Sequence, residues 1–275
     1  LVAWRRAVGY VADYGAIAVH SPVVGNLEES GNVQAVQGAI LAALGQFADM
    51  AEAGWADGGS GEVLSPRCVL IDSGYARSSM DEPVWELVGR SGGLVYRASK
   101  GYGSGAGQSG YRPPGRRGKG RRLFGQHVHA TWQPAHRAWL HHVDADWLKG
   151  QVHAGFLAPA EAPGALTLFG DDPLVHRHYA RQITAEAWTH EYKPGRGDVW
   201  YWKRLHPDNH WLDTTALAYA AAVILGLKTV GAPAPAPGPE GAQPTGPAPA
   251  GATAAGGPRM KLSELQAQRR AARGE

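Results

Sequence analysis

Cys68-Val69-Leu70-Ile71 is a run of four apolar residues that ends on Asp72, between Pro66 and Gly74. So short an apolar run, closed by turn residues on both sides, predicts a buried central strand of a sheet rather than a helix. It also places Asp72 at the C-terminal end of that strand, where α/β sheets present ligands. The alternative is an Asp that caps the following turn. A second acid comes much later. Asn209-His210-Trp211-Leu212-Asp213 runs into the apolar segment from Ala216 to Leu227. Asp213 therefore sits at the mouth of a helix, either as its N-cap or as a partner for Asp72. Two acids far apart in sequence, brought together on a mixed sheet, would form the start of a divalent-metal site.

The remaining segments supply a sheet and helices. Leu1 to Trp4 and Gly9 to Val19 read as a hairpin turning near Arg5 and Arg6. Val33 to Ala53 is helical, because Val36, Ile40, Leu44 and Phe47 recur at three- and four-residue spacing. Gly54 to Gly61 is a Gly-rich loop. Ser79 caps a helix over Pro83 to Val88, with Asp81 and Glu82 near its positive end. Leu94 to Ala98 is a strand, and Lys100 to Gly125, rich in Gly and Arg and without periodicity, is a mobile loop. His127 to Thr131 and Trp139 to Val143 read as a strand pair. Asp146 to Ala154 and Pro173 to Glu186 read as helices, Asp198 to Lys203 as a strand, and Asp213 to Leu227 as the closing helix. The pattern predicts an α/β fold: a mixed sheet with an antiparallel edge hairpin and flanking helices. This domain spans 1–229. An Ala/Pro/Gly-rich linker, expected to be disordered, covers 230–259. A basic tail helix covers 260–275, where Ser263-Glu264-Leu265-Gln266 has capping-box spacing.

Composition narrows the function classes. The net charge is +3 and the pI about 9.0, which is compatible with a polyanionic partner. The single cysteine, Cys68, excludes a disulfide framework and a Cys-based zinc site. No apolar run approaches the ~18 residues that span a membrane, and no signal peptide is visible. The chain opens on Leu1-Val2-Ala3-Trp4, already strand-like, so the native N-terminus is expected upstream.

Further residues bear on chemistry. In His141-His142-Val143-Asp144-Ala145-Asp146-Trp147-Leu148-Lys149, Asp144 ends a strand and Asp146 is placed to cap the next helix, with metal ligation as the alternative for either. Carboxylates suit Mg²⁺ or Mn²⁺. Two such ions can activate water and stabilise the leaving oxygen of a phosphodiester, a site that usually needs at least three acids. His127 and His129 alternate onto one face of a strand near His141 and His142. Zinc is one reading; solvated or phosphate-facing imidazoles is the other, favoured because no HExxH spacing is present. Arg112, Arg116, Arg117, Lys119, Arg121 and Arg122, spaced by Gly and Pro, form a polycation suited to phosphate contacts, or simply a solvated loop. Lys100 and Lys149 join them as nucleic-acid contacts. Gly101, Gly103, Gly105 and Gly107 lack the GxxxxGK[ST] of an ATP loop.

Several of these segments, in this order, resemble the nuclease domain of the phage terminase large subunit, GpA (lambda-like) type. They are Tyr10 to Gly15, Val69 to Gly74, Val95 to Gly101, His142 to Lys149, Gln182 to Glu186, Trp200 to Arg204 and Asn209 to Asp213 with the Ala-rich helix behind it. The resemblance covers roughly residues 1 to 228. It implies an RNase H-like fold and metal-dependent endonucleolytic cutting of concatemeric double-stranded DNA during packaging, in the cytoplasm of a bacterial host. Asp72 matches the family's strand-four acid and Asp213 its late-helix acid. The family's first-strand acid has no counterpart here, so the chain is expected to hold an incomplete two-metal site and to be inactive by itself. Asp144 and Asp146 are potential helpers. His210 replaces an acidic neighbour of the family pattern, as a proton shuttle or phosphate contact. ATP is implied only for an upstream motor domain. The portal and the small terminase subunit are implied partners, with no membrane. Two other readings stay open: another RNase H-like DNA-processing enzyme, such as a transposase or resolvase, and a non-catalytic DNA- or portal-binding module.

Overall fold

The computed structural model describes residues 1–20, 33–74, 81–104, 110–115, 118–195 and 197–227. The expectations for Ser79, Arg116, Arg117, the linker 230–259 and the tail 260–275 lie outside these residues.

Strands β1 (Val2–Arg5) and β2 (Val8–Val11) form the expected N-terminal hairpin, which stops well short of Val19. Its two turn residues, Arg6 and Ala7, take positive φ of 50° and 66°. Tight hairpins need that hand of turn, and neither residue is the glycine that adopts it freely. Helix α1 (Val33–Ala53) matches the apolar spacing. The Gly-rich segment after it is folded into a short hairpin, β3 (Trp55–Ala56) with β4 (Val63–Leu64).

The main sheet follows: β5 (Val69–Asp72), β6 (Tyr96–Tyr102), β7 (Arg121–Leu123), β8 (Val128–Gln133) and β9 (Ala138–Asp144), in the spatial order β5-β6-β9-β8-β7. β5, β6 and β9 run parallel, while β8 and β7 are antiparallel additions. Both ends of the supposed loop Lys100 to Gly125 are thus in strands. β5 was expected to be central, yet it is an edge strand among the described residues, paired with β6 alone. Its apolar character comes from the helix layers on its two faces, not from two ladder neighbours. On one face, Val69 and Ile71 join Val84, Trp85, Leu87 and Val88 of α2 (Glu82–Arg90). On the other, Cys68 and Leu70 pack on the cluster built from Val128, Val143, Leu148, Val152, Leu212 and Tyr219. Burying side chains of this size contributes about 1.5–3 kcal/mol each.

Helix α3 (Ala145–Leu157) starts from Asp144, whose Oδ1 accepts from the Trp147 amide at 3.1 Å. Asp144, not Asp146, is therefore the cap, because its extended backbone leaves the strand and aims the carboxylate at the first-turn amides. β10 (Leu166–Leu168) lies parallel to β2 and was not foreseen. The helix expected over Pro173 to Glu186 is broken into a 3₁₀ turn (Pro173–His176) and α4 (Arg177–Ile183). Thr184 ends it, its hydroxyl donating to the Ala180 carbonyl. Glu186 instead opens a two-stranded arm, β11 (Glu186–Lys193) with β12 (Gly197–Arg204), in which Trp188 faces Trp202 and His190 faces Trp200. Helix α5 (His210–Ile224) closes the domain and packs on α3, α4, β1 and β5. No helix among the described residues is long and apolar enough to cross a membrane.

On the face covered by α2, apolar packing gives way towards the C-terminal ends of β6 and β9. Tyr102 and Tyr111 place their hydroxyls 2.8 Å from Nδ1 of His142 and His129 respectively. Those two imidazoles stack at 4.5 Å, and the Thr131 hydroxyl meets His142 Nε2 at 2.8 Å. His141 points to the opposite face and meets the Ala98 carbonyl. Burial pushes both His141 and His142 down to about 4 and raises the Tyr111 hydroxyl. His129, His141 and His142 thus form an enclosed, hydrogen-bonded layer and not the solvated or phosphate-facing imidazoles expected, because the strands turn these side chains into the packed faces of the sheet.

Two predictions follow from this packing. A Cβ on Gly155 of α3 would stand 2.8 Å from the Gly164 carbonyl oxygen and 2.9 Å from Leu166 Cγ. Gly155→Ala is expected to lose about 1–3 kcal/mol by overpacking, against the ~1 kcal/mol that alanine normally gains in a helix. Urea titration reads the sign. For His141 and His142, the unfolded chain binds protons near pH 6.5 that the folded chain refuses until about 4. Stability is therefore full above that upper value and falls as the pH drops between the two. The urea midpoint should decline across this window, and less so in His142→Gln; a flat midpoint would show the imidazoles are not held neutral.

Candidate active site

Asp72 is the last residue of β5 and is exposed. One carboxylate oxygen accepts from the Gly74 amide at 2.9 Å, the short-range bond of an Asx turn. The capping reading of Asp72 is thus realised through Oδ1. By alternation with Leu70, Asp72 lies on the face covered by α3 and α5, and β5 packs directly against α5. The exposed Lys100 shares its surroundings: a Cβ on Gly74 would lie 3.0 Å from Asp72 Oδ1 and 3.7 Å from Lys100 Cγ.

Asp213 is not the N-cap of α5. Asn209 holds that position and Asp213 stands a full turn inside the helix. Its two carboxylate oxygens are both engaged. Lys149 Nζ lies 2.9 Å from Oδ1, and Asn209 Nδ2 donates to Oδ2 at 3.0 Å. The same two donors also bind Glu186: Lys149 Nζ lies 2.7 Å from Oε2, and Asn209 Nδ2 donates to Oε1. The result is a closed ring of two carboxylates and two donors. Glu186 and Lys149 are deeply placed, with side chains 6% and 12% exposed, whereas Asp213 is 47% exposed. Asp213 is therefore the outward face of a buried network. α3 leaves the C-terminal end of β9, parallel to β5, so Lys149 and the Asp213 it holds lie towards the same end of the sheet as Asp72.

Glu186 and Asn209 were not among the expected ligands or catalytic groups. The only sequence signal for Glu186 was its place at the end of Gln182-Ile183-Thr184-Ala185-Glu186, where it read as the last residue of a helix. Lys149, expected to face nucleic acid, is spent on the two carboxylates instead.

Asp144 and Asp146 are occupied in other ways. Besides capping α3, Asp144 holds His127 Nδ1 at 2.7 Å, and that imidazole lies flat on Trp147 at 4.2 Å. Asp146 accepts from the Ser104 amide at 2.7 Å; its pKa is raised, chiefly by burial. It anchors the chain leaving β6, and its carbonyl accepts from Trp202 of the arm. His210 is exposed in the first turn of α5. Of the basic residues, Lys100, Arg112, Lys119, Arg121 and Arg122 are exposed. The Arg122 guanidinium covers the Trp139 ring at 4.1 Å.

Among the described residues, no group of three or more His, Cys, Asp or Glu is placed to hold a metal ion. Asp72 and Asp213 offer two hard oxygen donors of the kind Mg²⁺ and Mn²⁺ take. The third carboxylate of this region, Glu186, is held by Lys149 and Asn209. Among the described residues, the carboxylates do not fit a complete two-metal site.

A family model described as the terminase large subunit gpA endonuclease domain matches residues 42–232. No curated protein and no solved structure matches the chain. The mixed sheet with helices on both faces fits the RNase H-like architecture of such nuclease domains. The match begins within α1, runs through β5, α3 and the arm, and takes in Asp72, Lys149, Glu186, Asn209 and Asp213. It covers well over half of the chain, which therefore belongs to the terminase large subunit gpA endonuclease domain family.

Proposed function

We propose that this domain cuts concatemeric double-stranded viral DNA during packaging, in the cytoplasm of the bacterial host, with Asp72 and Asp213 as its working carboxylates. The observation that carries the reading is that both acids fall inside the family match and towards one end of the same parallel strands. In this reading Asp72 meets the substrate from a short turn off an edge strand, and Asp213 does so from a position fixed by its two donors. His210, exposed beside them in α5, serves as a proton shuttle or phosphate contact. Lys100, whose Cγ lies near Gly74, would contribute a phosphate contact at this end of the sheet. Arg112, Lys119, Arg121 and Arg122 would carry the sequence-independent grip on the duplex, which weakens steeply with salt. The proposal includes dependence on Mg²⁺ or Mn²⁺, which would supply an activated water and charge stabilisation. The portal and the small terminase subunit are the proposed assembly partners.

A second reading follows from the incomplete carboxylate set: a DNA-binding or portal-docking module built on the nuclease fold, without cleavage.

One assay separates them. The intact protein, with whatever sequence its gene places ahead of Leu1, is incubated with supercoiled plasmid and Mn²⁺ beside an Asp72→Ala, Asp213→Ala double variant. Nicking that falls at least ~100-fold in the variant, a loss typical of removed catalytic groups, is the expected result. A folded chain that binds duplex DNA but leaves the plasmid intact would overturn the enzymatic reading in favour of the module.

A further inference from the structure

The disagreement between the carboxylates present and a two-metal site has a local cause. Lys149 Nζ stands 2.7 Å from Glu186 and 2.9 Å from Asp213. An ammonium at those distances from two carboxylates occupies the place where a bridging cation would sit. We infer that Lys149 is a resident cation: its single positive charge, shared by Glu186 and Asp213, stands between them, keeps a divalent ion out of that position, and makes Glu186 an anchor for Asp213 instead of a metal ligand. The inference rests on reading Asp213 as a site carboxylate.

Three features support it. The ammonium is enclosed, with its side chain 12% exposed, so it is not a surface lysine that happens to touch an acid. Glu186 is more enclosed still, at 6%. Burying a carboxylate there without a positive charge beside it is costly. Asn209 completes the arrangement by donating to both carboxylates. With Lys149 and Asn209 in place, each oxygen of Glu186 has a donor, and neither points to a vacant ligand position. Lys149 reaches the ring from the second turn of α3, whose start is fixed by Asp144. Its side chain therefore has a rigid base. Glu186 and Lys149 are thus positioning residues for Asp213.

The test needs neither DNA nor cleavage, so it stands apart from the nicking assay. Mn²⁺ binding is followed by electron spin resonance, and thermal unfolding is followed with and without Mn²⁺, for the wild type, Lys149→Met and Lys149→Met/Glu186→Gln. Removing the ammonium should open the pair to the ion. Lys149→Met is expected to bind Mn²⁺ at least about tenfold tighter than the wild type, a modest fraction of what one removed unit charge at such distances can contribute. Mn²⁺ should also raise its unfolding midpoint more than that of the wild type. The double variant, which removes both buried charges, should fold without Mn²⁺ and lose the gain. If Lys149→Met is unfolded in metal-free buffer, the inference requires Mn²⁺ to refold it. Binding no tighter than in the wild type, a gain that survives in the double variant, or an unfolded Lys149→Met that Mn²⁺ does not refold would each overturn the inference.

Discussion

A carboxylate as enclosed as Glu186 is tolerable only if the protein brings a cation to it, because ionised groups lose far more in leaving water than ordinary packing returns. Here the cation is Lys149, and meeting that single requirement fixes much else. Lys149 belongs to α3, Glu186 opens the arm, and Asn209 and Asp213 belong to the start of α5. One ring of contacts thus sets the relative placement of two helices and the base of a hairpin. Removing one partner would leave a buried charge unpaired, which costs several kcal/mol. Replacing both with neutral groups would not. Asp213 gains its orientation from this arrangement, while its half-exposed carboxylate still reaches solvent.

The parallel trio β5, β6 and β9 supplies the frame. Parallel strands need crossover connections that bring helices onto both faces, and here α1 and α2 cover one face while α3 and α5 cover the other. Strand ends and helix starts then collect at one end, where Asp72, Asp144, Asp146 and Lys149 all lie near the C-terminal ends of strands. Family membership favours the terminase nuclease over a transposase or resolvase, a choice that the sheet alone does not make.

How far the sequence could be read depended on whether a signal was local. α1 was legible because its apolar stripe is periodic over many turns, and β5 because a short apolar run ending in Asp has few other homes. The edge position of β5 was not legible, since apolar faces look the same whether the ladder has one neighbour or two. β11 was missed because Ala187, Trp188 and Thr189 follow directly on a helical stretch, with only Thr184 to mark the break. Asp72 and Asp213 could be singled out from their flanking residues. The ring around Asp213 could not, because Lys149 and Glu186 are 37 residues apart and no spacing rule links them. A lysine read in isolation defaults to the surface, which is where Lys149 was placed. Asp146 was read as the cap of α3 and Asp144 as the end of a strand, but the cap is Asp144, a choice that depended on backbone geometry.

The ring also bears on when the domain acquires its chemistry. α5 is the last described element in the chain, and it carries both Asn209 and Asp213. As the polypeptide emerges from the ribosome, N-terminal segments fold first, so the strands and α3 are available while Lys149 still lacks one of its two acids. Joining them requires loops to close over long stretches of chain, an entropic cost met only once the late helix can dock. Asp213 is thus the last piece of the ring to arrive. A growing or truncated chain holds most of the sheet before it holds Asp213, and this delays any reactive arrangement until synthesis of the domain is complete.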